Sequence, residues 1–157
     1  MKKKKMLASG ATTAKSHKTT IAQMAAHVEK LVKEHKLKTK GSNRGGRAWH
    51  KSKTISIPPV KSLVTYLLAL HEIAHVVYPK AHNGTRLEKE YRAWQWTLAH
   101  SLVRKLTPQA CRGIHDRLNS YVEWAKNRQH RKVPPKLPAE DHSIWKLLAQ
   151  LERVAAK

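Results

Sequence analysis

A predominantly apolar run that begins at Leu63 and closes on His71-Glu72-Ile73-Ala74-His75 constrains this chain more than any other feature. Val60, Val64, Leu67, Leu68 and Leu70 recur with helical period over a wide buried stripe, and Pro58-Pro59 suit a first turn, so the stretch reads as a core helix. Two imidazoles and a carboxylate in the last turns of such a helix are costly to bury unless something pairs them. Histidines four apart stand one above the other on one face, so both rings can reach a single ion, while Glu72 points beside that ion rather than at it.

That spacing is the layout of a zinc hydrolase. Zinc held by three protein ligands keeps a fourth position for water and lowers its pKa to about 7. His71 and His75 are then candidate ligands of one Zn2+ ion. Glu72 is the candidate catalytic base, placed to take the proton of the water and pass it to a leaving amine. The third ligand must come from elsewhere in the chain.

Charge narrows the partners. The chain carries 32 Lys and Arg against 10 Asp and Glu, a formal net charge of +22. Such an excess points to polyanion contact, nucleic acid first, with an acidic membrane surface or partner protein behind it. Residues 1–61 hold 16 of the basic side chains but only two acidic ones, Glu29 and Glu34, so the front of the molecule is the expected electrostatic footprint. Lys2, Lys3, Lys4 and Lys5, with Arg44 and Arg47 of the loop Lys40-Gly41-Ser42-Asn43-Arg44-Gly45-Gly46-Arg47, are the candidate nucleic-acid contacts. No Gly-Lys-Ser/Thr signature surrounds that loop, which argues against a nucleotide-binding P-loop. Cys111 is the single cysteine, so an intrachain disulfide and a cysteine-rich zinc module are both excluded. With no run of about eighteen apolar residues and no secretory signal, a cytoplasmic protein without a membrane span is expected.

Read in order, residues 1–18 form a basic arm without periodicity. An amphipathic helix follows from Thr19 or Thr20 to about Lys36, and Ala48–His50 and Lys53–Ile57 have the character of short strands. The histidine-bearing helix stops around Tyr78-Pro79, because proline cannot continue it. A turn leads to a helix from about Arg86 to Lys105. Another runs from Thr107-Pro108 to about Asn127, with Cys111, Ile114, Leu118, Tyr121, Val122 and Trp124 as its apolar face. A basic linker, 128–138, precedes a last helix from Ala139 to Ala156. The expected class is α+β, mainly α, with one domain over residues 19–127 and the linker and last helix, 128–157, packed on it.

His71-Glu72-Ile73-Ala74-His75, followed after a short loop by Glu-x-x-Ala-Trp-x-aromatic, resembles the Glu-zincin metallopeptidases, most closely the compact ImmA/IrrE-like peptidases of phages and mobile elements. In that family the second motif reads approximately Glu-x-x-Ala-Asn-x-Phe-Ala. Laid on this chain, Glu90 takes the ligand place, with Ala93 at the alanine, Trp96 at the aromatic and Thr97 at the last alanine. Trp94 stands where Asn or Asp is usual, which removes a partner that would orient a ligand histidine. Glu88 is the alternative ligand, with Tyr91 then at the alanine; as charge near a helix N-terminus, one of the two glutamates has a structural use as well. His82 is a third alternative, by similarity to SprT-like proteases that complete their site with a later histidine. Tyr78, Tyr91 and His100 are candidate donors to a developing oxyanion.

The resemblance spans roughly residues 53–100 and implies a zincin-like fold: an active-site helix, a second Glu-bearing helix, a small β-sheet and additional C-terminal helices. The implied activity is a zinc metalloendopeptidase acting on a protein substrate, such as a DNA-bound regulator, in a phage-related setting and so in the host cytoplasm. Two rivals stand beside it. One is a basic nucleic-acid-binding protein whose metal site is structural or vestigial, in which affinity would fall steeply with salt. The other is a SprT-like, DNA-associated protease using His82.

Overall fold

The computed structural model describes residues 18–157. Lys2–Lys5 and the rest of the N-terminal arm up to residue 17 lie outside the described residues. The chain is α+β and mainly helical: α1 (Ile21–Glu34), β1 (Lys38–Gly41), β2 (Arg47–Trp49), β3 (Thr54–Ile57), α2 (Leu63–Val77), a 3-10 turn (Pro79–Ala81), α3 (Arg86–His100), α4 (Pro108–Lys126) and α5 (Ser143–Ala155). Among the described residues, no helix is long and apolar enough to cross a membrane.

Helix α2 is the centre of the packing, touching α1, α3, α4, β2 and β3. Its residues Tyr66 to Ala74 are buried without interruption, so it is apolar all round rather than amphipathic. Its start differs from the expectation. Pro58-Pro59 belong to the connection after β3, and the helix begins at Leu63. There Ser62 accepts the Thr65 N–H and Thr65 Oγ1 accepts the Ser62 N–H, a reciprocal cap that satisfies two otherwise orphaned donors.

The sheet has the order β1-β3-β2, with β1 parallel to β3 and β2 antiparallel to it. Strand β1 was not legible as a strand, because Lys38, Thr39, Lys40 and Gly41 are all exposed and carry no alternation of burial. Only β3 reaches the core, through Thr54 and Ile55. Strand β2 is an edge, and it packs beside α2.

Two other helix bounds shift. Helix α3 ends at His100, not Lys105, because Ser101 turns the chain: its hydroxyl accepts the Val103 N–H, and the buried Tyr66 hydroxyl accepts the Leu102 N–H. The last helix starts at Ser143 rather than Ala139. His142 Nδ1 accepts the Ile144 N–H as the cap, and the Ala139 carbonyl is used instead by the Trp145 indole N–H. Helices α4 and α5 pack against each other through Leu118, Val122, Ile144, Leu148 and Leu151 of the same core. That core continues into α1 through Met24, Val28 and Leu31.

Candidate metal centre

Helix α2 delivers His71 and His75 to one face, one turn apart, with their Nε2 atoms 3.1 Å from each other. The third group comes from α3, whose phase is set at its N-terminus. Thr85 accepts the Glu88 N–H while Glu88 Oε2 accepts the Thr85 N–H, and Leu87, Tyr91 and Trp94 then fall into the core. With α3 so registered, Glu90 faces α2. Its two carboxylate oxygens lie 3.0 Å from His71 Nε2 and 3.4 Å from His75 Nε2. One donor atom from each of His71, His75 and Glu90 falls within 4.8 Å of the others, so the group could hold a metal ion.

The electrostatics fit such a use. Burial pushes His71 down to about 4, so its ring is neutral at ordinary pH. Burial would lower His75 as well, but the Glu90 carboxylate beside it outweighs burial and raises it. Burial would raise Glu90, yet its hydrogen bonds with the two histidines hold it well below the usual carboxylate range. Two imidazoles and an ionised carboxylate are a donor set that suits a borderline divalent cation such as zinc. Next to them, Glu72 is buried and lifted by that burial to about 7, where a carboxylate can both accept and return a proton.

One feature departs from ordinary metal sites. A ligand histidine usually donates its second ring N–H to a carboxylate or carbonyl. Here His71 Nδ1 is buried with no hydrogen-bond partner. The Trp94 indole stacks on the imidazole instead, centroids 4.1 Å apart and planes 26° from parallel. Trp94 therefore holds the ring by its face.

The three donors sit in the wall of a cleft of about 740 Å³, bounded by α2 and α3, by β2 with the loop before it, and by α4. Glu88 is the α3 capping residue and does not line the cleft. His82 does line it, but stacked on His50 at 4.6 Å and outside the convergent donor group. Tyr78, Tyr91 and His100 do not line it. Tyr78 caps α2, the Tyr91 hydroxyl is engaged by Ser143 and Gln95, and His100 stacks on Trp96. Arg44 and Arg47 lie in the cleft wall.

Three contributors were missed in the sequence. Gly46 lies so close to Glu72 that a Cβ there would overlap its side chain. Arg117 and Tyr121 reach the cleft from α4, four apart and so on one face; that spacing was a usable signal, but Tyr121 read as part of the apolar stripe. Burial and the Glu90 charge both raise the Tyr121 hydroxyl, which keeps its proton.

No protein-family model matches the chain, and no curated protein or solved structure matches it significantly. The functional reading therefore rests on the site itself.

Proposed function

We propose that this chain is a zinc-dependent metallopeptidase with a zincin-like active site, hydrolysing peptide bonds of a protein substrate. The observation that carries the reading is the convergence of His71, His75 and Glu90 from two helices, with a buried Glu72 beside them, in the wall of an open cleft. Zinc held by those three ligands would leave a coordination position for water and polarise the scissile carbonyl. Glu72 takes a proton from the attacking water and returns it to the leaving amine. Tyr121 is the phenol of the cleft wall and can donate to the carbonyl oxygen as it gains charge. The outer edge of β2 runs along the wall through Arg47, Ala48 and Trp49, so an extended substrate can add to it as a further strand.

The test separates binding from chemistry. Glu72→Gln retains zinc, measured by elemental analysis of the purified protein, and loses hydrolysis of an unfolded protein such as casein by at least about 100-fold. His75→Ala loses both. A Glu72→Gln protein as active as the parent would overturn the assignment.

A second reading draws on Trp49, which is 39 % exposed with Lys40 and Arg47 5.6 and 5.4 Å from its ring centre. An exposed indole between cations is a surface on which a nucleobase can stack, as expected of a nucleic-acid-binding protein or a protease recruited to DNA.

A further inference from the structure

Among the described residues, five cationic side chains line the cleft: Arg44 and Arg47 on the β2 side, and Arg86, Lys89 and Arg117 on the side of α3 and α4. The carboxylates among those lining residues are Glu72 and Glu90, and both are committed to the centre. Among the described residues, ion pairs join His71 and His75 to Glu90, His115 to Asp116, and Lys126 to Glu123, so none of the five cleft cations has a carboxylate partner.

On a convex surface water solvates such charges separately. In a concave one they reinforce each other and focus the potential inward. Their positions also differ. Arg86 lies over the rings of Tyr121 and Trp124, at 5.0 and 5.6 Å, while Arg117 stands one turn before Tyr121 on the same face of α4 and lines the cleft together with His71 and Glu72. Arg117 therefore shares a cleft wall with the centre and carries a planar fork that suits a carboxylate.

We propose that the cleft is selective for peptides bearing an acidic residue beside the scissile bond, with Arg117 receiving that carboxylate and Arg86 and Lys89 supporting it. The proposal rests on the peptidase reading. A nucleic-acid strand fits the same charge less well, because the cations line the cleft that also holds Glu72 and Glu90, and a run of phosphates laid along them would crowd both carboxylates.

The test uses zinc-loaded Glu72→Gln protein, which binds without cleaving. Fluorescence anisotropy compares three probes: a labelled peptide with two central glutamates, its twin with glutamines, and a labelled dT10 oligonucleotide. The acidic peptide is expected to bind about tenfold tighter than its twin, the worth of one charge-assisted contact. Arg117→Gln, at an exposed position that folding does not need, should cut that preference below about threefold; Arg117→Lys should restore part of it. Equal binding of both peptides, or a preference that survives Arg117→Gln, overturns the proposal. So does tighter binding of dT10 that Arg117→Gln abolishes, which would make the cleft a nucleic-acid site. Casein cleavage by the parent protein without acidic preference would remove the selectivity and leave the peptidase. Acidic-peptide binding that depends on Arg117 in a protein whose parent cleaves nothing would do the reverse.

Discussion

Helix α2 and strand β2 both contribute to the wall of the cleft and are built on opposite terms. From Tyr66 to Ala74 every residue of α2 is buried, whereas β2 leaves Arg47 and Trp49 exposed and only Ala48 half-covered. Two of the three donors that must converge, His71 and His75, stand on the element that is most completely buried. The surface that would meet a partner of variable shape stands on an edge held by a single neighbouring strand. Precision is thus placed where packing density is highest, and adaptability where main-chain groups are still open to pairing.

The largest effect should come from loosening α2. Leu70 is fully buried one residue before His71, and Leu70→Ala is expected to cost about 2–5 kcal/mol of folding stability by leaving a cavity. Trp49→Ala, in β2, should cost less than about 1 kcal/mol, since its ring is partly solvated already. Urea unfolding of both variants measures the difference. Comparable losses would mean that β2 is as integral to the core as α2, and the contrast would fail.

The two elements meet at Gly46, where the chain entering β2 presses on Glu72. Gly46→Ala forces the Glu72 carboxylate aside, since the three atoms nearest to the added Cβ all belong to Glu72. Zinc content should therefore stay at one ion per chain while casein hydrolysis falls by about 10- to 100-fold, as expected when a base is displaced by an ångström. Loss of zinc together with activity would show that the loop supports the ligands and not only the base.

How much of this was readable beforehand follows the same divide. His71, Glu72 and His75 were legible because a helical repeat projects i and i+4 together whatever the tertiary fold. Glu90 was legible as a ligand candidate only through its motif, while Glu88 read as an alternative ligand or as charge near a helix N-terminus and its pairing with Thr85 as a cap was not drawn. The positions that failed depend on contacts between elements. Tyr78, Tyr91 and His100 were candidate oxyanion donors with no spacing to decide between them, and Tyr91 turns inward to Ser143, 52 residues away. Tyr121 and Arg117 were absent from the expected site because α4 lies far along the chain and its own pattern says only which face is apolar. Strand β1 escaped because four exposed residues paired on one side leave no periodic trace.

The finest prediction concerns protons at the centre itself. With His71 lowered by burial to about 4 and Glu90 ionised by its two histidine partners, His75 is the one ligand that carries a proton at mildly acidic pH in the metal-free protein. Its raised pKa makes the sign definite. The imidazolium–Glu90 pairing stabilises the metal-free fold fully below the ordinary histidine value of about 6.5 and is lost as pH rises through the raised value. Zinc must displace that proton, so affinity should fall about tenfold for each pH unit below the His75 pKa and level off above it, with close to one proton released per ion on the acidic side. Competition against a chromophoric chelator from about pH 5.5 to 8.5, with calorimetry in two buffers of different ionisation enthalpy, reads both quantities. A slope near two would mean that a second proton leaves with the ion, from His71 or from Glu72, whose burial lifts it to about 7; a slope that returns to one in Glu72→Gln assigns it to Glu72. A slope near zero would mean that Glu90 does not hold a proton on His75, and the two helices would then meet less closely than 3.4 Å between those groups implies.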